Sequence, residues 1–248
     1  MFVFNVVSIL LILSITLVSG LYPFFKKKVS GGEQNFPSSE SLAAGIFLGA
    51  SLIHMLGDAS NAFYHHSLHY PLAFLLAGIM FLFLLLLEHI GREMVAHHGS
   101  SNAFAILAVL MLSIHAFLMG AALGLSVSLS VAIVILLAIL AHKWAESFAL
   151  AIQINKSSFS HKINIILFLV FSVMTPLGIL LGASATAALN YHPLLAPIFS
   201  SLAAGTFLYL GTLHGLEKAT LITQCCDLRR FFFVILGFSI MAVVAIFT

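Results

Sequence analysis

The sequence predicts an all-α membrane protein with eight transmembrane helices, arranged as three, two and three in an inverted repeat. Apolar residues make up 61% of the 248-residue chain, and charged residues make up only 7%. Soluble domains carry about 25% charged residues, whereas runs of about 20 apolar residues recur along the whole of this chain. A third feature, one helix sequence that occurs twice, predicts the inverted repeat.

The apolar runs define the predicted spans. At 1.5 Å per residue, each run is long enough to cross about 30 Å of hydrocarbon. Short connections join the runs, so we expect one membrane domain, residues 1–248, without a soluble appendage. We interpret the first run as a retained helix and not a signal peptide, because no basic segment precedes it. The predicted spans are 2–24, 40–58, 70–91, 102–126, 129–154, 162–187, 196–216 and 230–248.

Basic residues predict the orientation of these spans, because short cytoplasmic loops carry an excess of Lys and Arg. If the spans alternate, nine of the ten basic residues fall on one side, and the tenth, Lys143, lies within a span. We therefore expect both termini on the non-cytoplasmic side of an integral protein of the plasma (inner) membrane. The sequence has no basic patch suited to nucleic acid.

The repeated helix is "SLAAGIFLGASLIHMLGDA" at 41–59, which recurs as "SLAAGTFLYLGTLHGLEKA" at 201–219. Ten of nineteen positions are identical, including His54 and His214. In the predicted topology the copies cross the membrane in opposite directions, as inverted repeats of transporters do. Spans one to three would pair with six to eight, leaving four and five as a central hairpin. Small residues also favour helix packing in general, but the shared histidine favours a repeat.

The ionisable residues inside the spans concentrate in this hairpin, and such residues usually mark functional sites. His115 and Met119 lie four residues apart in the fourth span, hence on one helix face. His142 and Glu146 share a face of the fifth span in the same way. Imidazole nitrogens and carboxylate oxygens are ligands of Zn²⁺ and similar ions. The alternative is a pair of buried, hydrogen-bonded histidines, and Met119 is the weakest ligand because methionine also fills core gaps.

Other polar residues lie towards the ends of the repeated spans. His54 and Asp58 lie near the predicted outer end of the second span. His214 and Glu217 lie near the predicted inner end of the seventh. Neutral imidazoles can pass a divalent ion along a path without holding it tightly, so these residues are pathway candidates. The alternative is a set of ordinary interfacial polar residues.

Segments of six spans resemble the ZIP (Zrt/Irt-like) family of divalent-metal transporters. They are "GIFLGASLIHMLGDA", "FLLAGIMFLFLLLLEHI", "HAFLMGAALG", "HKWAESFALA", "SVMTPLGILLG" and "AGTFLYLGTLH". The resemblance implies a 3+2+3 helix plan and a transporter, not an enzyme. It also implies movement of Zn²⁺ or Fe²⁺ toward the cytosol through a site between the fourth and fifth helices. The family's metal ligands correspond to His115, His142 and Glu146.

The sequence departs from the family pattern around this site. The family's usual glutamate in the fourth helix corresponds to Met119, and an acidic residue often seen late in the seventh corresponds to His214. Members with two metals have Asn or Asp where this chain has Ala116 and Lys143. We therefore expect one metal, with Lys143 either neutralising Glu146 or occupying the place of the second ion. Fewer carboxylates argue against Mg²⁺ and Ca²⁺.

The predicted function is transport of a divalent transition metal, Zn²⁺ before Fe²⁺ or Mn²⁺, toward the cytoplasm by alternating access through a midplane His/Glu site. Two alternatives stay open: a membrane sensor that binds metal without moving it, and a haem or metal redox protein. A haem or metal redox protein of the membrane usually needs two matched histidine pairs or dense histidine clusters. The expected partners are the ion, the lipid bilayer and, in a homodimer, a second copy.

Overall fold

The computed structural model describes residues 1–25, 37–98, 102–188, 192–213 and 228–246, and every regular element in these ranges is helical. Seven continuous helices among the described residues are long and apolar enough to cross a membrane, and one of them comprises both α2 and α3. Helix α9, with 17 residues, is a shorter eighth. The all-helical membrane class is thus confirmed. The helices are α1 (Phe2–Phe25), α2 (Pro37–Gly49), α3 (Leu56–His65), α4 (Leu72–His98), α5 (Ala103–Leu125), α6 (Leu129–Asn155), α7 (His161–Ala188), α8 (Leu195–Tyr209) and α9 (Leu228–Val244).

The second span is longer than predicted. A π-helical turn, Ala50–Met55, joins α2 to α3, and the helix continues to His65 instead of ending near residue 58. Ala59 and Phe63 are buried one turn apart on α3, so packing holds the additional residues in helical form. The helix ends just before Ser67, whose φ of 62° is left-handed.

The helices pack as two groups of four spans. The first group contains α1, α5, α6 and α7, and the contact between α5 and α7 is the most extensive in it. The second group contains α4, α8, α9 and the span formed by α2 and α3. Helices α5 and α8 make the main contact between the groups, so these two helices form most of the boundary between them.

Glycines bring α5 and α7 into backbone contact. Gly120 and Gly124 of α5 face Gly178 and Gly182 of α7. A methyl group at any of the four would overlap a backbone carbonyl oxygen of the opposite helix. Small residues of this kind allow helices to approach closely in membranes, and here they fix the helix that carries His115.

The two copies of the repeated sequence make matching contacts. Gly45 in the first copy lies against the carbonyl of Val234 in α9. Gly205, 160 positions later, lies against the carbonyl of Ala77 in α4. The second span thus packs on the eighth, and the seventh span packs on the third, through glycines at equivalent positions of the repeat.

The copies also match in local helix geometry and at the centre of the bundle. The first copy becomes π-helical at Ala50, and the second is π-helical over 210–213, again 160 positions later. Short π-helical insertions are rare and often occur at functional sites. Phe47 and its counterpart Phe207 stack on one another, with ring centroids 4.6 Å apart. The repeated helices therefore meet through equivalent side chains.

Polar contacts gather several helix ends at one end of the bundle, which we name the basic end. The contacts there are Lys156 to Glu40, Asn155 to the carbonyl of Pro23, and the amide of Ser158 to Asn102. The opposite end contains the short connection between α5 and α6, and we name it the hairpin end. The site described next lies between the two.

Candidate metal site

Three buried residues from the central hairpin form the core of the site. His115 of α5 and His142 and Glu146 of α6 each contribute a donor atom, and these atoms lie within 4.8 Å of one another. Each residue is at most 1% exposed. The structure therefore brings together the two histidines and the carboxylate that the sequence predicts as ligands.

His115 is oriented by the repeated helix α8. Its Nδ1 lies 2.6 Å from the hydroxyl of Thr206 and 3.1 Å from the carbonyl of Ala203. The Thr206 hydroxyl donates to that carbonyl at 2.6 Å, so its oxygen is left to accept a proton from Nδ1. This network assigns the Nδ1–H tautomer and leaves Nε2 with a lone pair, as a metal ligand requires. The imidazole also stacks on Phe207, with centroids 3.5 Å apart.

Each of the three residues has one buried polar atom without a hydrogen-bond partner in the described part of the chain. These atoms are His115 Nε2, His142 Nδ1 and Glu146 Oε1. Buried polar atoms without partners are rare and need an explanation. One cation bound by all three neighbouring side chains would account for them together.

The size of the cluster fits a zinc-like ion. Zn²⁺ binds nitrogen and oxygen at about 2.0–2.2 Å, so two ligands of one tetrahedral ion lie about 3.4 Å apart. Donors within 4.8 Å therefore need to close by about 1.4 Å or less. Three protein ligands also leave a fourth position of a tetrahedral site open.

Lys143 lies beside the carboxylate. Its ammonium is 3.0 Å from Glu146 Oε2, 3.0 Å from the hydroxyl of Thr175 and 4.5 Å from the centre of the Phe171 ring. Both members of the ion pair are 1% exposed. Buried charges of this kind are normally paired, so the contacts agree with the prediction that Lys143 neutralises Glu146.

A cavity of about 420 Å³ extends from the hairpin end toward the site. His54, Asp58 and Met119 all line it, and His54 Nδ1 lies 2.9 Å from Asp58 Oδ2. Met119 is buried one helical turn after His115. The structure thus brings these three predicted residues to one cavity, whereas His214 and Glu217 lie outside the described residues.

Thr206 and Phe207, whose side chains contact the His115 ring, are not among the residues predicted from the sequence. A signal for the first was available in the repeat. Thr206 stands where the first copy has Ile46, inside a block that is otherwise identical from residue 41 to 48. A polar residue at the single position of this block where the two copies differ indicates a hydrogen-bond partner specific to the second copy.

Comparison with known proteins gives a match over nearly the entire chain. The sequence profile of the ZIP zinc transporter family matches residues 2–103 and 93–245. Zinc transporter ZIP2 of Mus musculus is 25% identical over an alignment of 297 positions, gaps included, that covers 96% of this chain and 96% of that protein.

Two other relatives match over a shorter segment. Protein zntD of Dictyostelium discoideum is 38% identical over 164 residues, which cover 64% of this chain and 24% of that protein. Zinc transporter ZIP1 of Takifugu rubripes is 33% identical over 156 residues, or 62% of this chain and 50% of that protein. The chain thus spans half or less of the length of these two relatives.

Proposed function

Because the chain belongs to the ZIP zinc transporter family, we propose that it moves a divalent transition-metal ion, Zn²⁺ in the first place, across a membrane. The family assignment confirms the resemblance found in the sequence. It also agrees with the prediction that the chain is a transporter and not an enzyme. The relatives from Mus musculus and Takifugu rubripes are both named zinc transporters, which supports zinc above Fe²⁺ and Mn²⁺. The proposed membrane is the plasma membrane.

The observation that carries this proposal is the set of three buried donor atoms without partners, on His115, His142 and Glu146. Two neutral imidazoles and one carboxylate form a ligand set typical of Zn²⁺ with an open fourth position. The Lys143 ammonium beside Glu146 supports one bound ion and not two.

We place the entry route at the hairpin end. The cavity there is lined by His54 and Asp58 and reaches Met119, next to His115 on its helix. Imidazole, carboxylate and thioether groups can all contact a passing transition metal. The excess of Lys and Arg predicts that the basic end faces the cytoplasm, so entry at the hairpin end gives transport toward the cytoplasm, with both termini outside.

The mechanism we propose is alternating access in an inverted repeat. Matching contacts of Gly45 and Gly205, and the stacking of Phe47 on Phe207, support a relation of this kind between the second and seventh spans. In transporters built from such repeats, one arrangement converts into the counterpart related to it by a pseudo-two-fold axis in the membrane plane, around a fixed site. The α5–α6 hairpin would then move against the second and seventh spans, exposing the site to each end in turn.

Uptake by the purified protein in proteoliposomes tests this function. We expect uptake of Zn²⁺, and we expect His142→Ala and Glu146→Gln each to reduce it by about a hundredfold or to background, because each removes one of three ligands. Fe²⁺, Mn²⁺, Cd²⁺ and Cu⁺ measured in parallel give the order of preference.

Matched controls are available at exposed positions. His192→Ala and Glu93→Gln make the same changes of side chain at residues that are exposed, and we expect both to keep wild-type uptake. Uptake that survives both His142→Ala and Glu146→Gln would show that the metal does not pass through this site. Tight Zn²⁺ binding without any uptake would favour a sensor.

A further inference from the structure

The basic end is closed by an ion pair that joins the two groups of helices. Glu40 lies in the first turn of α2 and Lys156 directly follows α6. Their Oε1 and Nζ atoms are 2.5 Å apart, and about one third of each side chain is exposed. Because α2 and α6 belong to different groups, this contact ties the groups together at the basic end.

A small pocket of about 90 Å³ lies beside this pair, and Glu40 and Lys156 form part of its wall. Ala149, Leu150 and Gln153 of α6 also line it. These three residues follow Glu146 by one to two helical turns on the same face. The pocket therefore lies on the direct route from the candidate metal site to the basic end.

The inner wall of the pocket is aromatic. Phe47 lines it and stacks on Phe207, whose ring contacts both His115 and His142. The route from the site to the basic end is thus narrowed first by a pair of aromatic rings and then by an ion pair.

The hairpin end is built differently at the equivalent position. Ser200 occurs 160 positions after Glu40, the same spacing that relates the two copies of the repeat, and Pro197 follows Pro37 at this spacing. Ser200 lines the cavity of about 420 Å³ that opens at the hairpin end. One copy thus carries a carboxylate that bridges the two groups, whereas the other carries a hydroxyl beside an open cavity.

We propose that the ion pair between Glu40 and Lys156 is a latch that keeps the basic end closed while the metal site is open to the hairpin end. Opening of the basic end requires the latch to break, because the pair spans the boundary between the two groups of helices. This inference rests on the proposed transport function and adds the residues that set its resting state. A partly exposed pair contributes little stability, so the latch biases the equilibrium and can open during each cycle.

Cysteine labelling tests the latch without a need for transport. The only cysteines, Cys225 and Cys226, are replaced by serine, and Ala149→Cys places a reporter in the pocket. In nanodiscs we expect Lys156→Gln to raise labelling of this reporter by a membrane-impermeant maleimide about fivefold, which corresponds to about 1 kcal/mol. The charge reversal Glu40→Lys with Lys156→Glu restores the pair, and labelling should return to the parent rate.

A second reporter and a control complete the experiment. Ser200→Cys at the hairpin end should become less reactive when Lys156→Gln is present, because a single site exposed to one end is closed to the other. Glu88→Gln breaks an ion pair within α4 alone, where Arg92 Nη2 lies 2.6 Å from Glu88 Oε1, and should change neither reporter.

The outcomes separate the latch from the proposed function. Equal labelling of Ala149→Cys with and without Lys156→Gln overturns the latch, even if Zn²⁺ uptake is intact. An increase that the charge reversal does not correct, or one without any fall at Ser200→Cys, also overturns it. The expected reciprocal change in a protein that takes up no metal would keep the latch and reject transport.

Discussion

The two central helices place their histidine rings side by side, with centroids 5.8 Å apart, but differ in the residue one turn later. In α5 this residue is Met119, which is uncharged and lines the cavity at the hairpin end. In α6 it is Glu146, which is buried and paired with Lys143. The two helices therefore bring the same imidazole group to the proposed site, but only α6 brings charged side chains.

This difference determines the electrostatics of the proposed site. Before metal binds, the ammonium of Lys143 balances the carboxylate of Glu146, and the two imidazoles are neutral as ligands. A divalent ion therefore enters a site whose single negative charge is already paired. Burying uncompensated charge is costly, so we expect the ion to be held less tightly than a site with two carboxylates would hold it. Weak holding is what a carrier needs.

The largest effect is expected from Lys143→Met, which leaves the carboxylate of Glu146 buried without its partner. Removing one member of a buried ion pair costs about 3–5 kcal/mol, so the metal-free variant should unfold at a clearly lower temperature than the wild type. Saturating Zn²⁺ should recover most of the loss, because the ion supplies the missing positive charge. Thermal unfolding in detergent, with and without Zn²⁺, measures both effects.

The matched control makes α6 as uncharged as α5. Lys143→Met combined with Glu146→Gln removes both charges, so the metal-free double variant should be more stable than the single one and should respond little to Zn²⁺. A single variant that is as stable as the wild type without metal would mean that the carboxylate is already protonated or solvated. In that case α5 and α6 would not differ in charge.

Much of this arrangement could be predicted from the sequence, because it depends on local patterns. The spans follow from apolar runs, and His142 and Glu146 share a face because they are four residues apart. Their neighbour His115 could be predicted from its position in the adjacent span. The helix of the second span continues to His65, past the predicted end of the span at residue 58, because Phe63 is buried in the core beyond the apolar run.

What could not be predicted are contacts between residues far apart in the chain. Thr206 is 91 positions from His115, and Glu40 is 116 positions from Lys156. Such pairs depend on which helices lie side by side and at what height, and neither is encoded in a hydrophobic pattern. The partners of Thr206 and Lys156 therefore follow from the packing of the helices and not from the sequence pattern.

A smaller effect is expected from the hydrogen bond by which Thr206 of α8 orients His115. Thr206→Val keeps the shape of the side chain but removes the hydroxyl that accepts the His115 Nδ1 proton. Loss of a partner that orients a metal ligand typically lowers affinity about 10–100-fold. Calorimetric titration of the purified protein with Zn²⁺ measures this loss.

The counterpart of Thr206 in the first copy provides the control. Ile46→Thr adds the same hydroxyl at the equivalent position of α2 and leaves the contact of Thr206 with His115 in place, so we expect unchanged Zn²⁺ affinity. Equal affinities for Thr206→Val and the wild type would show that the tautomer of His115 is set elsewhere. Both helices would then present their histidines without help from the repeat.

The smallest effect is expected from Met119→Glu, which gives α5 the carboxylate that α6 already has. A second carboxylate near the ion should tighten binding about tenfold, or about 1.4 kcal/mol, and shift the preference from Cd²⁺ toward Mn²⁺, because oxygen ligands favour harder ions. Met119→Gln has nearly the same shape without the charge, so it separates charge from packing in a competition assay with Zn²⁺, Cd²⁺ and Mn²⁺. If the glutamate and glutamine variants give the same order of ions as the wild type, residue 119 does not face the metal. The asymmetry between α5 and α6 would then lie outside the ligand set.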